Sequence, residues 1–497
     1  SYDGKEGAIR SSYAQRIYTN IYKINELKQP YNNFMKRFLL LSACVSCFTM
    51  LTLAQAKYVF YFIGDGMGPN QVLAAEMYQA ELEGRIGRVP LLMTQFPVVG
   101  MTPTFSLSNA ITDSSAAGTC LASGQKTNNG MIGQTPDGTP TVSIATKLHN
   151  EGWGIGIVTT VPIDHATPSP FYAHTPSRDD YYAIGRQLAE SGFDFFAGGG
   201  FHVPEDKHMP TSPNLYDYCA QNGYFLAGGY DEAKANMNSQ KMILVPASCL
   251  QDRSAHGDAL PFAIDREKGD LSLEQLVDAS INYLSSRERF FIMVEGGKID
   301  YSGHGNDAAT NIHETIDFDR ALAVAYHFYE QHPDETLIIV AADHETGGMA
   351  LGNSDYTLNL QVLQHQRKSS GYISDAIKLL YEQLGSQLTW DDVRACLSKH
   401  MGLYTAVEVA AADDALLREA FNQTKKNKGN VKTLYKEVNA LAATALEILN
   451  RYAHIDWSSH GHTATATPVF AIGVGAERFT GWYDNARLTP MIYDSTR

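Results

Sequence analysis

Cysteine is scarce in this chain, with only six among 497 residues. Two lie in an apolar N-terminal stretch, and the remaining four are Cys120, Cys219, Cys249 and Cys396. These four form no Cys-x-x-Cys pair, which argues against a cysteine-bound zinc ion. In an oxidising compartment Cys219 and Cys249 are able to form a disulfide, and the sequence leaves that pairing open.

Positive charge is also in short supply. The chain carries 39 Lys and Arg against 54 Asp and Glu, a net charge of −15. Removing residues 1–56, which hold seven basic and three acidic residues, leaves a net charge of −19. Such an acidic surface repels polyanions, so we expect no nucleic-acid partner. An anionic substrate would then need a locally positive site, which bound metal cations supply.

The chain lacks internal repeats and low-complexity segments, and its 44% hydrophobic and 19% charged residues are typical of a globular enzyme. Its one long apolar run comes early. Met35–Arg37 is basic, Phe38–Leu53 is apolar and Ala54–Ala56 is a small-x-small cleavage site, which together predict a secretory signal peptide over residues 35–56. A membrane helix is the alternative, but the run is short. We therefore expect a periplasmic or secreted protein with no stable membrane anchor after cleavage, and assign no function to residues 1–34.

Short apolar segments alternate with helical patterns from Lys57 onward, which predicts parallel strands joined by crossover helices. Each strand candidate is a nearly continuous apolar run, as expected for strands buried on both faces. The clearest candidates are Tyr58–Ile63, Ile155–Thr160, Phe290–Val294, Leu337–Ala341 and Val469–Gly473. Residues 57–497 are thus predicted to be one α/β catalytic domain. The Ala-, Leu- and Lys-rich residues 372–452 are interpreted as a helical insertion, with a separate helical domain as the alternative.

Acidic residues and histidines follow three of these strands. Gly64–Gly68 contains Asp65, Glu295–His304 contains three acidic or imidazole side chains, and Asp343–His344 follows the fourth candidate. Any one of them alone is more often a turn or helix-capping residue. Because open α/β sheets bind ligands at the carboxyl ends of their strands, we expect them to converge on one site. Mixed carboxylates and imidazoles suit Zn²⁺, and oxygen-rich positions suit Mg²⁺.

Ser114 is the candidate nucleophile. It lies in Thr112–Thr119, where the small residues after it allow a helix to begin. A serine at a helix N-terminus lies in a positive local field that favours a bound phosphate. On its own, the segment also fits an ordinary serine cap before an Ala-rich helix.

With these motifs in this order, the chain resembles the alkaline phosphatase family. Ile111–Thr119 fits that family's nucleophile signature, and the motifs from Gly64–Gly66 to His462–Thr463 recur in its order and spacing over roughly Lys57 to Gly481. The resemblance implies a three-layer α/β/α sandwich around a large, mostly parallel sheet. It also implies hydrolysis of small phosphate monoesters through a phosphoserine, and many members of the family are homodimers.

The resemblance also implies two zinc ions and one magnesium ion. The first zinc would be bound by Asp300, His304 and His462, with His460 as the alternative to His462. The second would be bound by Asp65, Asp343, His344 and the Ser114 oxygen. The magnesium would be bound by Asp65, Thr167 and Glu295, with His165 beside it.

Three further expectations come from the resemblance. Arg178 would orient the phosphate, because a planar guanidinium binds two phosphate oxygens at once. Its alternative role is that of a solvated arginine at a helix start. His165 occupies a position where family members have Asp or His, and a nitrogen there favours zinc over magnesium. The alternative functions are a phosphodiesterase or sulfatase of the same superfamily and a non-catalytic phosphate-binding protein.

Tyr301 occupies a position where some family members place Lys or His to reach the phosphate through water. The tyrosine hydroxyl is neutral, so we expect weaker phosphate binding and faster product release here. Tyr301→Lys is therefore expected to strengthen competitive inhibition by inorganic phosphate, measured as the inhibition constant against a chromogenic monoester. Unchanged inhibition would contradict this interpretation.

Overall fold

A sheet of ten strands runs through the computed structural model, which describes residues 55–353 and 356–497. Residues 1–34 and almost all of the predicted signal peptide lie outside the described residues. In the sheet, the strands have the order β16-β2-β15-β8-β1-β7-β3-β4-β6-β5. The sheet strands are β1 (Tyr58–Ile63), β2 (Val98–Thr102), β3 (Gly154–Thr159), β4 (Phe195–Ala197), β5 (Tyr224–Ala227), β6 (Lys241–Leu244), β7 (Phe290–Glu295), β8 (Thr336–Ala341), β15 (Thr467–Gly473) and β16 (Gly481–Trp482).

Six short strands form three small two-stranded sheets outside the main one. They are β9 (Glu345–Thr346), β10 (Met349–Leu351), β11 (Val431–Lys432), β12 (Glu437–Val438), β13 (Ile455–Trp457) and β14 (His462–Thr463). Strand β14 pairs with β9, so that His462 lies opposite Thr346.

Helices fill the connections between the strands. They are α1 (Pro69–Leu82), α2 (Ser114–Ser123), α3 (Ile144–Asn150), α4 (Tyr181–Glu190), α5 (Leu215–Gln221), α6 (Tyr230–Ala235), α7 (Ala247–Gln251), α8 (Leu273–Leu284), α9 (Lys298–His304), α10 (Ala308–Gln331), α11 (Ser370–Leu384), α12 (Trp390–Met401), α13 (Ala411–Thr424), α14 (Ala440–Tyr452) and α15 (Leu488–Ser495). None of these helices combines the length and the apolar character needed to cross a bilayer.

The sheet has an apolar core on each face, because successive side chains of a strand point to opposite sides. In β1, Phe60 and Phe62 belong to one core, and Val59, Tyr61 and Ile63 belong to the other. Helices α1, α8 and α10 to α14 contribute to the first core, and α2 to α5 and α15 contribute to the second. The predicted three-layer sandwich around a large, mostly parallel sheet is confirmed.

Strand β15 differs from the expectation of parallel strands. It runs antiparallel to both of its neighbours, β8 and β2, whereas the other pairings in the main sheet are parallel. Its predicted apolar character is confirmed, because Val469 and Ala471 are fully buried. An antiparallel strand between two covered faces is as buried as a parallel one, so its hydrophobic pattern does not reveal its direction.

Residues 372–452 contain most of α11, all of α12 to α14, and the short hairpin β11–β12. Their apolar side chains, including Ile377, Leu397 and Leu417, join the same core as Phe60 of the main sheet. They belong to the same compact unit as the sheet. The disulfide left open by the sequence does not form, since Cys219 and Cys249 are both free.

Phe291 in β7 tests the packing of the second core. The side chain is fully buried and its ring lies 6.4 Å from that of Phe171. We expect Phe291→Ala to lower the free energy of unfolding by about 3–5 kcal/mol, because it leaves a cavity that the sheet cannot close. The control, Leu379→Ala on α11, removes a side chain that is 52% exposed and should change it by less than about 0.5 kcal/mol. Equal effects in denaturant unfolding would contradict the described packing.

Candidate active site

Four neighbouring strands of the sheet end at the same level. Ile63 of β1 lies in register with Glu295 of β7 and Ala341 of β8, and Glu295 lies in register with Thr159 of β3. The segments that follow these strands therefore start side by side. This register brings together acidic residues that are far apart in sequence, as expected for the carboxyl edge of a parallel sheet.

Three groups of side chains at this edge have ligand atoms that lie within 4.8 Å of one another. All of the carboxylates in these groups are fully buried. The first group is Asp300, His304 and His462; the second is Asp65, Asp343 and His344; the third is Asp65, His165 and Glu295. Asp65 thus belongs to both the second and the third group.

In the first group, Asp300 and His304 lie one turn apart on α9, and His304 Nε2 is 3.3 Å from Asp300 Oδ2. His462 reaches the group from β14, with its Nε2 3.5 Å from Asp300 Oδ1. The other ring nitrogen of His462 lies 2.8 Å from the carbonyl oxygen of Thr112, which fixes the orientation of the ring. His460 is absent from this group, and its ring nitrogen instead lies 3.0 Å from the His304 carbonyl.

The second group surrounds the Nε2 atom of His344. This nitrogen lies 3.3 Å from Asp65 Oδ1, 3.2 Å from Asp343 Oδ2 and 3.2 Å from Ser114 Oγ. A ring nitrogen carries at most one hydrogen, so it cannot donate to all three oxygens. Such convergence of a nitrogen and three oxygens is characteristic of a ligand set.

The third group connects the second to β3 and to the loop after it. Thr159 donates a hydrogen bond to Glu295, with 2.5 Å between the oxygens, and Thr167 donates one to Asp65, at 3.1 Å. His165 is 2% exposed and its two ring nitrogens make no hydrogen bond to any described residue. Burial, aided by the charge of Arg178, lowers the pKa of His165 to about 3, so its ring is neutral and able to bind a metal.

The carboxylates of the site destabilise one another. Burial raises the pKa of Asp65 well above its usual range, and the charge of Asp343 raises it further. Burial and the charge of Asp300 also raise the pKa of Asp343 well above its usual range. Burial raises the pKa of Glu295 to about 7. Buried carboxylates that repel one another need either protons or cations to balance their charge.

The orphaned atoms of the site fit divalent cations. One oxygen of each of Asp65, Glu295, Asp300 and Asp343 accepts no hydrogen bond from a described residue. Buried polar atoms are normally hydrogen-bonded, so four unpaired carboxylate oxygens in one place call for another partner. Two imidazoles with a carboxylate suit zinc, and the oxygen-rich third group suits either magnesium or, through His165, zinc.

Ser114 is the first residue of α2, and it is fully buried. The cap of this helix is Asp113, whose side chain accepts a hydrogen bond from the Ala116 amide at 2.9 Å. The same carboxylate lies 3.6 Å from the Arg178 guanidinium, so the helix cap holds the arginine near the serine. The structure thus brings Ser114, Arg178 and all of the predicted metal ligands to one region; their roles as ligands stay predictions.

Four residues of this site were missed by sequence reasoning. Thr346 donates a hydrogen bond to Asp300, and its hydroxyl lies 3.2 Å from His344 Nδ1. Thr159 and the Thr112 carbonyl support the third and first groups, as described above. In the sequence, only their closeness to predicted ligands or to the predicted nucleophile could have indicated these three residues. Tyr435, from the hairpin β11–β12, lies against the site and had no signal at all.

Comparison with known proteins identifies the family of this chain. The family model described as alkaline phosphatase matches residues 56–193 and 255–495. It leaves out residues 194–254, which carry β4, β5 and β6 at one edge of the sheet. Alkaline phosphatase 4 of Bacillus subtilis (strain 168) is 29% identical over 453 residues, which cover 88% of each chain.

Two solved structures are similar in fold. A cold-active alkaline phosphatase from the psychrophile Shewanella sp. has a TM-score of 0.74 at 26% identity, covering 88% of this chain and 99% of its own. The alkaline phosphatase of Thermus thermophilus has a TM-score of 0.71 at 26% identity, covering 91% and 95%. Fold, site and relatives together define a metal-dependent α/β phosphatase. The chain belongs to the alkaline phosphatase family.

Asp65 belongs to two groups and Asp300 to one. Substituting the two residues should therefore lower the metal content of the protein by different amounts. We expect Asp65→Ala to lose about twice as many bound divalent cations per chain as Asp300→Ala, since it removes a ligand from two groups. The measurement is elemental analysis after dialysis against limiting zinc and magnesium.

Asp334→Ala is the control for this comparison, because Asp334 is exposed and outside the three groups. It should retain the full metal content of the wild type. Equal losses in Asp65→Ala and Asp300→Ala would contradict a shared role for Asp65.

Proposed function

We propose that this protein hydrolyses small phosphate monoesters to an alcohol and inorganic phosphate through a phosphoserine on Ser114. The observation that carries the proposal is the position of the Ser114 hydroxyl, 3.2 Å from His344 Nε2 and beside an arginine held by the helix cap. Membership of the alkaline phosphatase family supports it.

The start of α2 favours both the nucleophile and the phosphate. Ser114 lies where the unpaired backbone N–H groups of the helix create a positive field. The small residues after it, Ser115 to Gly118, are buried, and Gly118 packs against the backbone of Thr167. A Cβ atom at Gly118 would lie 3.1 Å from the Thr167 carbonyl oxygen, so the helix lies close to the third group.

In the proposed reaction, Ser114 Oγ attacks the phosphorus in line with the departing alcohol oxygen. The bond between phosphorus and that oxygen breaks, the serine proton passes to solvent, and the alcohol takes a proton from water. Arg178 donates hydrogen bonds to the phosphoryl oxygens and stabilises the charge that builds on them. A water molecule then cleaves the phosphoserine, which restores the Ser114 hydroxyl and releases inorganic phosphate.

We further propose that the first and second groups hold zinc, and that the third holds magnesium, or zinc through His165. When bound, these cations lower the pKa values of the attacking hydroxyls and neutralise charge on the oxygens of the phosphate ester. Asp300, His304 and His462 would hold the first ion. Asp65 would help to hold each of the other two ions, because it belongs to both of the remaining groups.

The proposed place of action is outside the cytoplasm, in the periplasm or secreted. It rests on the predicted signal peptide over residues 35–56. A phosphate-scavenging role fits such a location.

Ser114→Ala tests the nucleophile. We expect it to reduce the rate of phenol release from a chromogenic monoester at alkaline pH by at least about a thousandfold, because no other hydroxyl replaces the attacking oxygen. Chelation of the wild type should abolish the activity, and zinc plus magnesium should restore it. Ser123→Ala, at the other end of α2, is the matched control and should retain activity.

If the fully metallated wild type turns over no monoester, the proposal is wrong. Turnover of a diester instead would indicate a phosphodiesterase, and tight phosphate binding without turnover would indicate a binding protein. Full activity in Ser114→Ala would contradict the phosphoserine intermediate but not the hydrolysis of monoesters.

A further inference from the structure

The hairpin β11–β12 carries a tyrosine into the active site from the helical stretch. Its two strands pair between Val431 and Val438, and its loop is closed by hydrogen bonds between Thr433 and Lys436. Tyr435 lies in this tight loop. The loop bonds leave the backbone around Tyr435 with little freedom, so the position of its side chain is set by the hairpin.

The Tyr435 ring packs among residues of two metal-ligand groups. It stacks on the ring of Tyr301, with 3.6 Å between centroids and 16° between planes. It also lies 5.6 Å from the ring of His165 and 5.5 Å from that of His304. The ring therefore spans the space between the first and third groups.

The Tyr435 hydroxyl is buried and makes no well-aligned hydrogen bond to residues 55–353 and 356–497. The Arg178 side chain nevertheless lies close enough to donate to the hydroxyl oxygen. Burial raises the pKa of Tyr435 well above its usual range; the charge of Asp300 adds to the rise and that of Arg178 opposes it. A guanidinium carries only donors, so the hydrogen of the Tyr435 hydroxyl has no acceptor. Leaving that hydrogen unpaired is unfavourable, and phenylalanine at this position would avoid it.

We propose that Tyr435 is a phosphate-binding residue, and that its hydroxyl donates a hydrogen bond to an oxygen of the phosphoryl group of the substrate and of inorganic phosphate. This inference rests on the proposed function, since it assigns the same site a further ligand contact. Stacking on Tyr301 holds the ring in place, and the phosphoryl oxygen supplies the acceptor that the hydroxyl hydrogen lacks. The helical stretch thereby contributes directly to substrate binding.

The same arrangement gives Tyr301 a second role. Its ring is the platform for Tyr435, in the position where the sequence predicts a weaker phosphate contact than a lysine would make. The donor at this side of the phosphate is then Tyr435, which comes from a different segment of the chain. Because the hairpin is short and turned by its own hydrogen bonds, the donor is already in place before phosphate arrives.

Tyr435→Phe tests the proposal, because it keeps the stacked ring and removes only the hydroxyl. The measurement is the dissociation constant of inorganic phosphate for the metal-loaded protein, by isothermal titration calorimetry. We expect it to rise by about tenfold or more, the usual effect of losing a hydrogen bond to a charged group. The metal content should equal that of the wild type. The melting temperature measured without phosphate should not fall, because the change removes an unpaired hydrogen and keeps the ring.

Two further variants make the result decisive. Tyr381→Phe removes a hydroxyl from a tyrosine that is 43% exposed on α11, and should leave phosphate affinity unchanged. Tyr435→Ala removes the ring as well and should weaken phosphate binding at least as much as Tyr435→Phe. If Tyr435→Phe binds phosphate within about twofold of the wild type, the proposal is overturned, whether or not Tyr435→Ala is impaired.

Phosphate binding also separates this inference from the proposed function. Weaker binding in Tyr435→Phe together with no monoester turnover by the wild type would support the phosphate contact and overturn the hydrolase. Unchanged phosphate binding in Tyr435→Phe, together with wild-type turnover that depends on Ser114, would overturn the phosphate contact and support the hydrolase. A wild type that binds no phosphate overturns this inference, and the turnover measurement still decides the proposed function.

Discussion

Repulsion between buried carboxylates is the constraint on which the rest of the structure depends. Asp65, Glu295, Asp300 and Asp343 lie fully buried at one edge of the sheet, and each has an oxygen without a hydrogen-bond partner among the described residues. Burial raises the pKa values of three of them. Ionised together without compensation, these three would each cost the fold on the order of several kcal/mol. Asp300 differs, because burial is outweighed by the charge of His304, which holds the pKa of Asp300 well below its usual range. Divalent cations relieve that cost and at the same time give an acidic protein a positive site for phosphate.

The register of the sheet makes this arrangement possible. Strands β8, β1, β7 and β3 are neighbours, and Ala341, Ile63, Glu295 and Thr159 lie side by side at their ends. Their apolar residues fill two cores that cannot shift by one residue without turning every side chain to the opposite face. The cores therefore fix the spacing of the ligands, and the α2 helix, which holds Ser114, packs against the same edge. The packing that stabilises the sheet therefore also sets the geometry of the site.

The sequence predicted the central strands and the acidic and histidine side chains at their ends because both signals are local. A continuous apolar run followed by an acidic residue identifies β1, β7 and β8 and what they carry. Strands β4, β5 and β6 have three or four residues each and no comparable run, so they were missed. The reversed direction of β15 has no hydrophobic signature. Tyr435 could not be predicted either, because its place in the site depends on how a distant hairpin packs on Tyr301, and that contact is set by tertiary structure alone.

The most direct test of the account is anomalous diffraction from crystals of the protein loaded with zinc, recorded on both sides of the zinc absorption edge. The account predicts separate peaks within the first group, Asp300, His304 and His462, and within the second, Asp65, Asp343 and His344. Peaks at neither group, in crystals whose protein contains zinc by elemental analysis, would contradict it. The buried carboxylates would then need another explanation, and so would the activity attributed to them.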